Sequence, residues 1–185
     1  MRDRVMLSYR QHRIVAAYPK NTAIAVVSEG SAKLFQADAP TRDEAVGKAK
    51  AWVDNRVDGE RARRRDPHVG TAEEYRRAFR AIDIGDHHAA MLRAHANAPN
   101  QTLTATQLAR SAGYDSFSAA NLHYGVLGYR IADFLELPVP ESPERKQPVW
   151  TRALADGPGD AVPDGQWRWV MHPEVLEALR DLGMA

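Results

Sequence analysis

The sequence predicts an α+β fold, with strands gathered at the front and helices behind them. Three observations lead to this. Short runs rich in β-branched residues alternate with turn residues over the first 40 positions. Apolar residues then recur at helical spacing from about residue 41 to residue 135. Near the end, two tryptophan-bearing segments alternate between apolar and polar side chains and are joined by a loop rich in Gly, Pro and Asp.

The elements follow in order. "HRIVAAY" (12–18), "AIAVVS" (23–28) and "AKLFQA" (32–37) read as three antiparallel strands, with "PKNT" and "EGS" supplying the turns. In "APTRDEAVGKAKAWVDNRV" Thr41 and Glu44 stand at capping-box spacing. Ala45, Ala49, Trp52 and Val53 then give the helix one apolar face, which would cover the sheet. This β-β-β-α order is similar to small modules such as the double-stranded-RNA-binding fold and antitoxin-type folds. The similarity is confined to element order and implies no activity. The first module is placed at residues 1–57.

Residues 55–70, "NRVDGERARRRDPHVG", read as a linker, and 58–82 as a basic linker plus connecting helix. Arg61, Arg63, Arg64 and Arg65 cluster there, and guanidinium forks suit phosphate oxygens. A solvated linker or the charged end of the preceding helix is the alternative. Thr71 and Glu74 form a second capping box, and Tyr75, Phe79 and Ile82 mark the inner face of the next helix. A helix follows from Asp86, with Ala90, Met91, Ala94 and Ala98 inward. Its His87, His88 and His95 lack the glutamate-bearing spacing of a zinc helix.

The segment "TATQLARSAGYDSFSAANLHYGVLGYRIADFLEL" (104–137) holds a short helix capped by Thr104, a glycine turn at Gly113, and a longer helix capped by Ser116 or Ser118. Ala120, Tyr124, Leu127, Ile131 and Phe134 give the longer helix a core stripe, and Pro138 and Pro140 end it. Trp150–Leu154 and Trp167–Met171 read as the two strands of a hairpin, and a last helix starts at "HPEVLEALRDLG". From residue 83 onward this order resembles the winged helix-turn-helix superfamily, in architecture rather than by a strict motif. The pattern "LTATQLA…GY…AANL.YG.LG" also resembles modules of bacterial proteins, some of them fused to HNH-type nucleases. No HNH motif is present here, so nothing catalytic carries over.

The resemblance implies a DNA-binding protein, a bacterial or phage regulator of transcription or a recognition module. In such a module the N-terminal end of the second helix enters the major groove. That end offers Ser116, Ser118, Asn121 and His123, and Asn pairs bidentately with adenine. Thr106, Gln107 and Arg110 on the first helix and Arg130 further along would contact backbone or bases. Gly125 and Gly128 would permit close approach of a neighbouring helix or a sugar-phosphate chain. Trp150, Trp167 and Trp169 would stack on an unpaired base, anchor a partner or fill the core.

Charge argues in both directions. The 185 residues carry 25 Lys+Arg and 24 Asp+Glu. Residues 1–80 hold 17 basic and 11 acidic side chains, and residues 81–185 hold 8 and 13. An acidic rear half weakens phosphate attraction. It favours a second reading, a protein-binding adaptor or phage-type inhibitor (anti-defence or anti-CRISPR) docking on a basic nucleic-acid-handling partner. The expected partners are therefore double-stranded DNA or a protein, with the front sheet available for homodimerisation and no membrane contact. The chain has no cysteine, which removes disulfides, thiolate zinc sites and cysteine nucleophiles. With no phosphate-binding loop, no nucleophile elbow and no visible signal or transmembrane run, a cytoplasmic non-enzyme without cofactor or metal is expected.

Overall fold

A computed structural model describes residues 4–19, 21–157 and 167–185. The chain divides after Ala62 into two compact units.

The first unit is an antiparallel meander of four strands, β1 (Val5–Tyr9), β2 (His12–Ala17), β3 (Ala23–Glu29) and β4 (Ala32–Ala39), followed by α1 (Arg42–Arg61). The sheet has four strands where the sequence predicted three. The missed strand joins β2 through Arg10 and Gln11, which both adopt positive φ (44° and 64°). Tyr9 pairs with His12 across this two-residue loop. Hairpins of this kind normally advertise themselves by Asn-Gly or Asp-Gly, and Arg-Gln carries no such signal. Thr41 caps α1 as expected, accepting from the Glu44 N–H at 3.3 Å. The helix lies on the sheet through small side chains: Ala45 and Ala49 meet Ile14, Ala16, Ala25 and Val27 in one core. It runs through Arg61, so residues 55–61, expected as linker, are its last turns.

The second unit contains α2 (Ala72–Ala81), α3 (Asp86–Ala96), β5 (Thr102–Thr104), α4 (Ala105–Ser111) and α5 (Phe117–Leu135). A 3-10 turn at Trp150–Ala153, β6 (Ala155–Asp156), β7 (Arg168–Met171) and α6 (Pro173–Asp181) complete it. The short sheet has the order β5-β7-β6, antiparallel throughout. The predicted capping box of Thr71 with Glu74 is formed on α2, and on α4 the predicted Thr104 cap is completed as a box by Gln107. Gly113 (φ 76°) ends α4. The Tyr114 N–H reaches back to the Ala109 carbonyl at 2.9 Å, which is a Schellman closure.

Two expectations are corrected here. Trp150–Leu154 is not a strand. It turns as a 3-10 helix, and only Ala155 and Asp156 join the ladder with Met171 and Val170. Gly128 on α5 permits this course, since a β-carbon there would fall on the Trp150 carbonyl oxygen. The backbone at Trp150 is thus seated on a helix rather than extended along a sheet edge. The loop between the two hairpin segments lies largely at 158–166, outside the described residues. The second correction concerns α3: Met91 is buried as expected, and so is Ala98 just beyond the helix, but Ala90 and Ala94 are only half-buried and the rest of the buried face is Leu92, His95 and Ala96. His95 is fully buried because both ring nitrogens have partners, the Tyr124 hydroxyl and the Trp169 carbonyl, each at 2.9 Å.

Candidate nucleic-acid interface

The short helix α4 is set by its cap: the Thr104 N–H donates to Gln107 Oε1 at 2.8 Å and the Gln107 N–H to Thr104 Oγ1 at 3.2 Å. Gln107 and Arg110 are both exposed on this helix. Ser116 caps α5, accepting from the Ser118 N–H at 3.1 Å. The two helix starts, β5–β7 and the segment 142–151 enclose two grooves that share Thr106.

One groove, of about 790 Å³, runs between α4 and the outer face of β5 and β7, and Thr102, Thr104, Gln107, Arg110 and Arg168 line it. The other, of about 590 Å³, lies between the first half of α5 and the 142–151 segment. Its walls include Phe117, Trp150, Trp167 and Trp169, and its polar groups include Asn121, Arg145 and Gln147. No described acidic side chain lines either groove. Of the eight basic residues in 81–185, Arg110, Arg145 and Arg168 stand here. Among the described residues none of these three guanidinium groups has a hydrogen-bond or ion-pair partner. Asp115 is exposed directly before the Ser116 cap, whereas Asp133 and Glu136 sit at the far end of α5, about 18 Å or more along the axis from Asn121.

Thr106, Gln107, Arg110 and Asn121 therefore come together on one surface. Ser116 and Ser118 are exposed at the start of α5, next to it in sequence. His123 points elsewhere. It stacks on Tyr114 (4.8 Å, 3°) and meets His88 of α3 edge-on at 6.1 Å. Arg130 is nine residues beyond Asn121 and reaches the Asp83 carbonyl at 3.4 Å.

The arginine cluster is divided between the units. Arg61 belongs to the last turn of α1, and Arg63 opens the second unit as an exposed residue. The Arg64 side chain is buried and forks onto the Glu74 carboxylate at 2.7 and 3.1 Å, with a further bond to the Leu135 carbonyl at 2.9 Å. Arg65 binds Glu174 at 3.0 Å and Asp66 at 2.9 Å. Arg64 and Arg65 thus hold α2, α5 and α6 together, which differs from a cluster displayed on a linker. Sequence reasoning missed Arg145 and Arg168. The only signal for Arg168 was its place between Trp167 and Trp169, on the outward side of an alternating strand.

His68, Asp156 and His172 bring three metal-type ligand atoms within 4.8 Å of one another. His68 Nε2 lies 3.2 Å from Asp156 Oδ2, and His172 Nε2 donates to the Arg152 carbonyl at 2.9 Å. The Arg65 guanidinium stands 3.5 Å from His172 Nδ1, a fixed positive charge at the atom that would bind a cation. The trio serves as a polar interlock between the start of the unit, β6 and α6.

Burial lowers the pKa of His95, whose ring is thereby held neutral. The Trp169 carbonyl can only accept, so Nε2 carries the proton and Nδ1 accepts from Tyr124. This fixes β7, and with it Trp167 and Arg168, against α3 and α5. No protein-family model, curated protein or solved structure matches the chain. No described helix is long and apolar enough to cross a membrane.

Proposed function

We propose that the second unit is a winged helix-turn-helix module that binds double-stranded DNA through the surface formed by α4, the start of α5 and β7. The observation that carries this reading is the charge segregation. In an acidic half-chain the two grooves are lined by no described acidic side chain and carry Arg110, Arg145 and Arg168. Duplex affinity depends on neutralising phosphates, and only such a surface lets an acidic module approach DNA. The element order supports the same reading: a helix, a strand, two helices joined by a glycine turn, then a hairpin whose second strand pairs with the earlier strand. Asn121 and Ser118 supply base-reading groups at the start of α5, and Arg110 and Arg168 supply phosphate contacts. The module acts as a regulator or recognition component and performs no catalysis.

Fluorescence anisotropy of a labelled mixed-sequence duplex, titrated at two salt concentrations, tests this. Binding should weaken steeply with salt. Arg110→Ala with Arg168→Ala should make the salt slope shallower by roughly one for each phosphate that is no longer neutralised. Absence of binding at low salt overturns the proposal.

A second reading, a protein-binding adaptor, has one observation in its favour. Phe117 and Leu122 on α5 are 57% and 64% exposed. Leu122→Ala separates the two, since it removes apolar area without changing charge: duplex binding and its salt slope stay nearly unchanged in the first reading, and partner binding weakens in the second.

A further inference from the structure

The aromatic groove does not follow from phosphate contact. Charged and amide groups suffice to hold a duplex backbone, yet this groove is walled by Phe117, Trp150, Trp167 and Trp169. Glycines make room for two of these residues. The Trp150 backbone is seated on Gly128, and its ring meets Tyr129 edge-on at 5.0 Å. The Trp167 indole lies where a side chain at Gly157 would be, 5.8 Å from Trp169. Trp167 nevertheless remains 39% exposed. A large ring that packs on a neighbouring ring and is still left partly open offers a platform for a ligand. The mouth carries complementary chemistry. The side-chain amides of Asn121 and Gln147 have no partner among the described residues, and each offers a donor and an acceptor. Arg145 adds a positive charge. The volume of about 590 Å³ lies within the range of small-ligand clefts, roughly 300–1,000 Å³.

Resting on the duplex-binding reading above, we propose that this groove receives a single unstacked nucleobase, stacked on Trp167 or Trp150 and read along its polar edge by Asn121 and Gln147. Continuity with the Arg110–Arg168 groove through Thr106 lets the flanking phosphates stay on the arginines while the base enters. The absence of described acidic groups suits a base on a phosphate chain and disfavours a basic peptide. The module would then select duplexes with an unpaired or weakly paired nucleotide, because such a base leaves the stack at least cost.

The test uses the full chain and two labelled duplexes of the same sequence, one fully paired and one with a single unpaired nucleotide. Anisotropy and tryptophan emission are both read. The unpaired duplex should bind about tenfold tighter and quench tryptophan emission, in keeping with the usual worth of one base–aromatic stack. Trp167→Ala should abolish the preference and keep the salt-dependent binding of the paired duplex, while Trp167→Phe restores most of the preference. Asn121→Ala, an exposed change, should reduce the preference without affecting folding. Equal affinity for the two duplexes with unchanged emission overturns the base-binding proposal and leaves the duplex reading standing. Failure to bind either duplex at low salt overturns the duplex reading and this proposal with it.

Discussion

At the scale of single residues, His95 shows how a polar group becomes part of a core. It is fully buried, with one partner on α5 and one on β7. Replacement by Ala would leave the Tyr124 hydroxyl and the Trp169 carbonyl without partners, at about 2–4 kcal/mol from the unmet bonds and the cavity. Thermal unfolding measures this. His95 also sets a pH dependence. Its pKa is lowered in the folded state by burial, whereas the unfolded chain binds a proton near pH 6.5. Below that pH the unfolded state takes up more protons, so stability falls as pH drops from about 6.5 towards the lowered folded value. His88 and His172, also lowered chiefly by burial, act in the same direction. Denaturant melts at pH 7.5 and 5.5 should show the loss, and His95→Ala should flatten part of the slope. Gly128 and Gly125 make a pair of opposite sign. Gly128→Ala places a methyl group on the Trp150 carbonyl and should cost about 1–3 kcal/mol from overpacking, partly offset by better helix propensity. Gly125→Ala meets nothing within 4 Å and should stabilise α5 by roughly 0.5–1 kcal/mol.

At the scale of elements, α2 depends on one carboxylate for two tasks. Glu74 closes the capping box, accepting from the Thr71 N–H at 2.8 Å, and also receives the fork of the buried Arg64. Glu74→Ala would open the cap and leave a buried guanidinium without its counter-charge. A loss of about 3–5 kcal/mol is expected, as for other broken buried pairs, and Thr71→Ala should cost only about 1 kcal/mol. Comparing the two melts separates the cap from the ion pair. Helix α4 has seven residues, too few to persist alone, so its place depends on its cap, its glycine closure and α5 behind it. That dependence is what orients Gln107 and Arg110 on the proposed binding surface.

At the scale of the whole molecule, each unit has its own core. Ile14, Val27 and Val53 anchor the first, and Tyr75, Leu127, Ile131 and Leu179 anchor the second. Expressed separately, residues 1–62 and 63–185 should each give a cooperative melt, with the smaller unit less stable because it buries a smaller fraction of its surface. Loss of structure in 63–185 on separation would contradict this. Most helices were legible in the sequence because their signals are local: Thr-x-x-Glu or Thr-x-x-Gln at the start, apolar spacing along the body, and Gly113 at the α4 stop. The first strand was not legible because its turn uses Arg10 and Gln11 in a conformation that their side chains do not announce.

The same division separates what the sequence alone determined from what needed the tertiary structure. Composition, caps and periodicity determined an α+β chain, the two helices on either side of Gly113 and the strand at Arg168–Met171, since each depends on neighbours within a few residues. Only the folded chain decided that Arg64 and Arg65 hold helices together while Arg110, Arg145 and Arg168 face outward, because a counter-ion ten or a hundred residues away leaves no local trace. The close approach of the Trp150 backbone to Gly128, some twenty residues earlier, likewise leaves no local trace.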